Sequence, residues 1–166
     1  SLLTIINSIP PDNREIVRNG DITEFRFTYT KEGRQHHVVA IESRIRSWLY
    51  YENPLDPNLD TTITHELTYL CNSDGIIFVI DSRVFKGEQN LLMFEKLDRD
   101  LVSRRIDIDS KPIVFQVNKR DLSDICSMDW VREHFRTQRC DYVESIATQG
   151  IGTREALDKL LDLIEK

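Results

Sequence analysis

Gly75-Ile76-Ile77-Phe78-Val79-Ile80-Asp81 and Pro112-Ile113-Val114-Phe115-Gln116-Val117-Asn118 decide the fold. Each is a short, nearly continuous apolar run, the pattern of a strand buried on both faces rather than one alternating between core and solvent. The first leads into Leu91, Phe94, Leu97 and Leu101 at helical spacing. The second leads, after a loop, into a helix capped near Ser127 that carries Trp130, Val131 and Phe135. Residues 141–145 read as a third, shorter strand, and Leu157, Leu160, Leu161 and Ile164 stripe a last helix. This alternation predicts a mostly parallel sheet with right-handed crossovers and helices on both faces, an α/β three-layer domain. Ligands of such sheets bind beyond the carboxyl ends of the strands, so chemistry is expected after Asp81, Asn118 and Glu144.

Upstream the grammar differs. Leu2, Leu3, Ile5 and Ile6 followed by Pro10-Pro11 predict a helix that begins at or before Ser1 and stops at the proline pair. Residues 15–18, the turn signal Asn19-Gly20, residues 21–30 with Ile22, Phe25, Phe27 and Tyr29, the turn around Glu32-Gly33 and residues 36–41 predict an antiparallel meander whose alternation slips once, between Ile22 and Phe25. Residues 42–60 carry no period and are expected to form an irregular, switch-like insertion in a single domain spanning 1–166. Ile63, Leu67 and Leu70 predict a helix over 61–71.

Composition sets the outer bounds. A chain of 166 residues, 40% hydrophobic, is too apolar to be disordered and long enough for a core. The formal charge of −6 argues against duplex nucleic acid or an anionic membrane as the main partner. No apolar run approaches the ~18–20 residues of a membrane span. Cys71, Cys126 and Cys140 are widely spaced and make no C-x-x-C pair, which points away from a disulfide framework or a zinc site and towards the reducing cytoplasm. His36 and His37 are neighbours on one strand and face opposite sides, so they do not share a metal. Asp81 reads as a strand-end cap.

Two segments at the expected ligand edge carry a more specific pattern. Asn118-Lys119-Arg120-Asp121 follows one buried strand, and Glu144-Ser145-Ile146-Ala147 closes the next. A carboxylate at Asp121 can accept two hydrogen bonds from the N1–H and exocyclic amine of guanine. Lys119 can lay its methylene stem on the base, Asn118 can tie neighbouring loops, and the Ala147 N–H can donate to the guanine carbonyl. Ser145 is drawn in by its place in the second segment. NKRD and E-S-I-A in this order, with Asp74-Gly75-Ile-Ile-Phe-Val-Ile-Asp81-Ser-Arg83 before them and Ala147-Thr-Gln-Gly-Ile-Gly-Thr153 after, resemble the Ras-superfamily small GTPases, most of all the bacterial gliding-motility branch.

The resemblance is good over residues 74–166 and weaker upstream. It implies GTP or GDP with Mg2+ as ligands and a regulator or effector protein as partner. It also places Ser1 either at the magnesium-binding hydroxyl that follows the phosphate-loop lysine or one residue beyond it. Two features depart from the family. None of the six glycines is followed by lysine, so the first strand and phosphate loop are missing from the chain or atypical. Where the strand over 36–41 should run into D-x-x-G, the sequence is Ala40-Ile41-Glu42-Ser43-Arg44. Arg44, Arg46 and Trp48, with Tyr50 and Tyr51, are candidates for a partner-binding segment, being of residue types enriched at protein interfaces. The expected function is a guanine-nucleotide-binding or switch domain. The alternatives are a pseudo-GTPase scaffold that binds no nucleotide, and a site that a partner completes. No catalytic residue is assigned.

The 166-residue chain on its own is expected to show no appreciable GTP hydrolysis, because phosphoryl transfer rests on a lysine and Mg2+ neutralising β/γ charge. Magnesium-dependent phosphate release at the rate of an ordinary slow small GTPase overturns this expectation.

Overall fold

Ile113, Val114, Phe115 and Val117 retain no exposed surface. The structure that encloses them is a computed structural model, which describes residues 13–19, 22–43 and 67–166. The chain folds as two compact units, a meander unit and one that covers Ser73–Lys166.

The meander has three antiparallel strands, β1 (Arg14–Asn19), β2 (Ile22–Lys31) and β3 (Arg34–Ser43), in the order β1-β2-β3. Period-two alternation sends Phe25, Phe27 and Tyr29 to one face, where they are buried, while Glu24, Arg26 and Thr28 take the other. The β2–β3 hairpin turns through Glu32 at φ 50° and Gly33 at φ 80°. This pair of positive angles matches the twist of the strands. The β2–β3 register is continuous from Ile22 opposite Ser43 to Lys31 opposite Arg34. The apparent slip in alternation therefore does not mark a bulge. Glu42 and Ser43 extend β3 instead of starting the irregular insertion. The rest of that insertion, the helix expected at residues 1–9 and most of the one at 61–71 lie outside the described residues, of which 67–72 are helical.

In the second unit β4 (Ile76–Asp81), β5 (Ile113–Asn118) and β6 (Cys140–Glu144) pair in parallel, in the order β4-β5-β6. The third strand starts one residue earlier than its sequence pattern suggests. Between and after the strands run α1 (Gly87–Ser103), α2 (Met128–His134) and α3 (Thr153–Ile164). Side chains that alternate along β5 enter two different cores. Ile113, Phe115 and Val117 join Ile80, Val131 and Phe135 under Leu91, Phe94 and Trp130, and so face α1 and α2. Val114 joins Val143, Ala156 and Leu160 and so faces α3. Both faces of the sheet are covered by helices, the three-layer α/β arrangement that the apolar runs predict.

Aromatic rings dominate the first core. Phe94 lies 5.3 Å from Phe115 and 5.6 Å from Phe78, centroid to centroid, both edge-on, and Tyr142 stacks on Phe115 at 5.4 Å. On the other face a Cβ on Gly75 would stand 2.7 Å from Leu160 Cδ1, so the lack of a side chain there lets α3 lie close against the start of β4. α2 begins as expected at Ser127, whose hydroxyl accepts from Trp130 N at 3.1 Å. No described helix is long and apolar enough to cross a membrane.

Phe115→Ala removes the ring at the centre of this cluster and is expected to cost ~3–5 kcal/mol of stability, read from urea denaturation. A loss below ~1 kcal/mol would mean that the aromatic core is not what holds the unit together.

Candidate functional site

β4, β5 and β6 end side by side. Asp81 is in register with Asn118, and Val117 with Glu144. The segments that leave these ends, 82–84, 119–121 and 145–147, are held together by hydrogen bonds that cross from strand to strand. Asn118 Oδ1 accepts from the Ala147 N–H at 2.9 Å and from the Ser145 hydroxyl at 3.3 Å. Ser145 N donates to Val117 O at 2.8 Å, and Arg120 N donates to Ser145 O at 3.2 Å. Ser145 itself is buried. The Asn118 amide therefore ties the β5 and β6 exits into one surface, as its sequence position suggests.

Gly152 seals the back of this loop. At φ 74° it sits in left-handed backbone, and a Cβ there would come within 2.2 Å of Glu144 O. Only glycine lets the start of α3 fold so tightly against the end of β6. Ile146 and Ile151 form a two-residue bridge across the same turn, which keeps Ala147 at its tip.

Lys119 also has left-handed backbone, at φ 68°, which is uncommon for a residue with a Cβ. Its two ends are both tied to the end of β4. The carbonyl accepts from the Ser82 hydroxyl at 3.2 Å, and Nζ donates to Asp81 Oδ2 at 2.8 Å. Asp81 also receives Arg83, through Nε at 3.0 Å and Nη2 at 2.6 Å. Partial burial alone would raise the Asp81 carboxyl, but the hydrogen bonds from Arg83 and Lys119 outweigh it and hold the group well below the usual carboxylate range. It is thus ionised at neutral pH. A depressed carboxyl favours the folded state above its unfolded pKa, and that contribution fades only as pH falls through the lower, folded value.

Behind Asp81 stands Asn90 of α1, almost fully buried. Its amide clamps the Asp81 backbone from both sides, accepting from Asp81 N at 3.3 Å and donating to Asp81 O at 2.8 Å. Ser82, with no exposed surface, receives Cys126 N on its carbonyl at 2.7 Å, and Arg83 bridges to Ile125. The loop after β4 and the loop after NKRD are therefore one unit.

Asp121 is different from its neighbours. It is exposed at the end of the loop, and among the described residues its carboxylate has no hydrogen-bond or ion-pair partner. Arg120, between the two motif residues, is spent on structure: it reaches Glu144 Oε2 at 2.6 Å and Cys126 O at 2.7 Å. Of the candidate residues, then, Asn118, Ser145 and Ala147 meet directly, Lys119 lies beside them on Asp81, and Asp121 stands free. Ser1, Arg44, Arg46, Trp48, Tyr50 and Tyr51 lie outside the described residues. Sequence reasoning missed Ser82 and Asn90, and it read Asp81 as the strand-end cap that its bond from Arg83 N at 3.2 Å makes it but not as the partner of Lys119. The available signal was an asparagine among the core-facing positions of α1, since a buried amide needs backbone partners.

The edge thus presents the Asp121 carboxylate, the Lys119 side chain and the 145–147 loop on segments that follow neighbouring strands. No protein-family model matches the chain. Over 91 residues it is 29% identical to the mutual gliding-motility protein MglA of Myxococcus xanthus (strain DK1622), a stretch that covers 55% of this chain and 47% of that protein. The chain is a distant relative of the small GTPases of the Ras superfamily. It spans about half the length of the curated relative it matches, and the parallel unit has the α/β build of a small-GTPase-like fold.

Asn118→Ala leaves the Ala147 N–H and the Ser145 hydroxyl without their shared acceptor, and is expected to cost ~1–3 kcal/mol. Hydrogen exchange at Ala147 should accelerate more than at Val114 in the core of β5. Unchanged exchange at Ala147 would show that the amide does not hold the loop.

Proposed function

We propose that this chain is a GTPase-like domain that recognises the guanine base at the carboxyl edge of the parallel sheet and acts as a cytoplasmic nucleotide-binding or switch module on protein partners. The observation that carries the reading is the unengaged Asp121 carboxylate beside a loop that Asn118 has already organised. The other charged groups of the two motifs, Lys119, Arg120 and Glu144, each have a partner within the protein, so the exposed Asp121 carboxylate is the charged motif group left to meet a ligand.

In this reading Asp121 accepts from the N1–H and exocyclic amine of guanine, the Lys119 stem covers one face of the ring, and Ser145 and Ala147 border the guanine carbonyl. The Ala147 N–H is directed at Asn118 Oδ1, so the carbonyl shares that donor or displaces Asn118 from it. GTP or GDP fits these base contacts, while Ser1 is the only candidate in the chain for the vicinity of the phosphates and Mg2+. Mg2+, where bound, neutralises charge between the β- and γ-phosphates. A regulator or effector would read the segment that contains Arg44, Arg46, Trp48, Tyr50 and Tyr51.

A second reading, a pseudo-GTPase scaffold that binds no nucleotide, is favoured by one specific observation. β3 continues as paired strand through Glu42 and Ser43, the positions where a phosphate-sensing D-x-x-G turn would have to begin.

Asp121→Asn separates the two. An amide can donate to the carbonyl that xanthine carries in place of the exocyclic amine of guanine. The variant is therefore expected to weaken GDP and strengthen xanthosine diphosphate, with a change in relative affinity of roughly ten- to hundredfold. Its melting temperature should hardly move, since the residue is exposed. Calorimetric titration of both proteins with both nucleotides decides the matter. Equal affinities throughout would mean that Asp121 does not read the base, and no binding in any combination would favour the scaffold.

A further inference from the structure

Asp81 belongs to neither motif, yet its carboxylate reaches into the proposed base site. Lys119 is the residue through which it does so. The Lys119 backbone is in the left-handed region, its carbonyl is held by Ser82 and its ammonium by Asp81, so consecutive residues at the end of β4 fix the two ends of one lysine. Asp81 is in turn fixed from the core, where the buried Asn90 amide clamps its N–H and carbonyl.

We infer that Asp81 is a positioning residue for base recognition: anchored by Asn90, it stretches the Lys119 side chain along the sheet edge so that the methylene stem forms a preset wall for the purine. The inference rests on the base-site reading given under Proposed function. Its physical ground is the exposure of the pair. The Lys119 side chain is 41% exposed against 22% for Asp81, so water screens the lysine end and this pair adds less to folding than its geometry suggests. It does restrict a long, flexible stem before a ligand arrives, which removes an ordering cost from binding. One carboxylate here holds two cations, Arg83 and Lys119. Replacing it with a neutral amide leaves those cations sharing a site that no longer attracts either, and the more flexible lysine is released.

The test is a double-mutant cycle on the intact protein, read by calorimetric GDP titration and by thermal melting. D81N should weaken GDP about tenfold. K119A should weaken it as well, and D81N combined with K119A should be no weaker than K119A alone. R83A, which removes the other cation but leaves Lys119 on Asp81, should stay within about twofold of the wild type. Melting temperatures should agree within a few degrees.

Unchanged GDP affinity in D81N overturns the inference. So do additive losses in the double variant, a loss in R83A as large as in D81N, or a D81N chain that fails to fold, because the carboxylate would then serve the fold. Each of these leaves the wild type binding GDP. A wild type that binds none overturns the base-site reading itself, and this inference with it.

Discussion

The burial of β5 on both faces is the constraint from which the rest of the parallel unit follows. A strand whose successive side chains all leave water must be covered twice. Phe115 and its aromatic neighbours call for α1 and α2 on one side, and Val114 calls for α3 on the other. A helix can connect two parallel strands only by crossing a face and returning to the same end. The carboxyl ends of β4, β5 and β6 are therefore forced to a single edge, and the residues that follow them become neighbours although they are far apart in the chain. Exposing β5 on either face would remove the reason for one helix layer and, with it, the convergence of the loops.

That convergence creates a difficulty that the polar residues resolve. Three strand exits crowd together, and each buries backbone groups that regular sheet pairing no longer satisfies. Asn118, Ser82, Ser145 and Asn90 meet this need with short side chains whose oxygens and nitrogens reach the adjacent backbone. Among the side-chain nitrogens and oxygens of the described residues, only the Thr137 hydroxyl is fully buried without a partner. An edge crossed by so many of its own hydrogen bonds is shaped from within the protein. What it leaves over is as informative as what it uses, because Asp121 contributes nothing visible to this network.

How much of this could be read in advance depended on the range of each interaction. The strands were legible because Ile76–Asp81 and Ile113–Asn118 are local patterns whose meaning does not depend on a distant partner. The pairing of NKRD with E-S-I-A was legible as a motif. The bond between Asn118 and Ala147, 29 residues apart, was legible only in kind, and the same geometry shows the Ala147 N–H already engaged. Asp81 was legible only in part for the same reason: its carboxylate does cap the strand end, accepting from Arg83 N at 3.2 Å. A carboxylate at a strand end looks locally like a cap, and its second role comes from Lys119, 38 residues further on. Glu42 and Ser43 were read as the start of an irregular segment because polar residues end strands in sequence, whereas β3 extends wherever Ile22 and Thr23 offer a paired backbone. No local pattern reports that offer.

The division of labour among these residues also bears on how the proposed base edge relates to phosphate binding. Everything that shapes the edge belongs to β4, β5, β6 and the loops between them, and the core beneath it is made from the same unit. Among the described residues, that packing comes from β4, β5, β6, α1, α2, α3 and the segments between them. Base contacts of this kind contribute discrimination, since one mismatched hydrogen-bonding group is worth on the order of 1–3 kcal/mol. The strong binding of a nucleoside triphosphate draws instead on charge, from lysine, Mg2+ and backbone N–H groups around the phosphates. Because the two contributions come from different groups, the first can be strong where the second is weak. A domain in that condition distinguishes bases more sharply than it holds nucleotides.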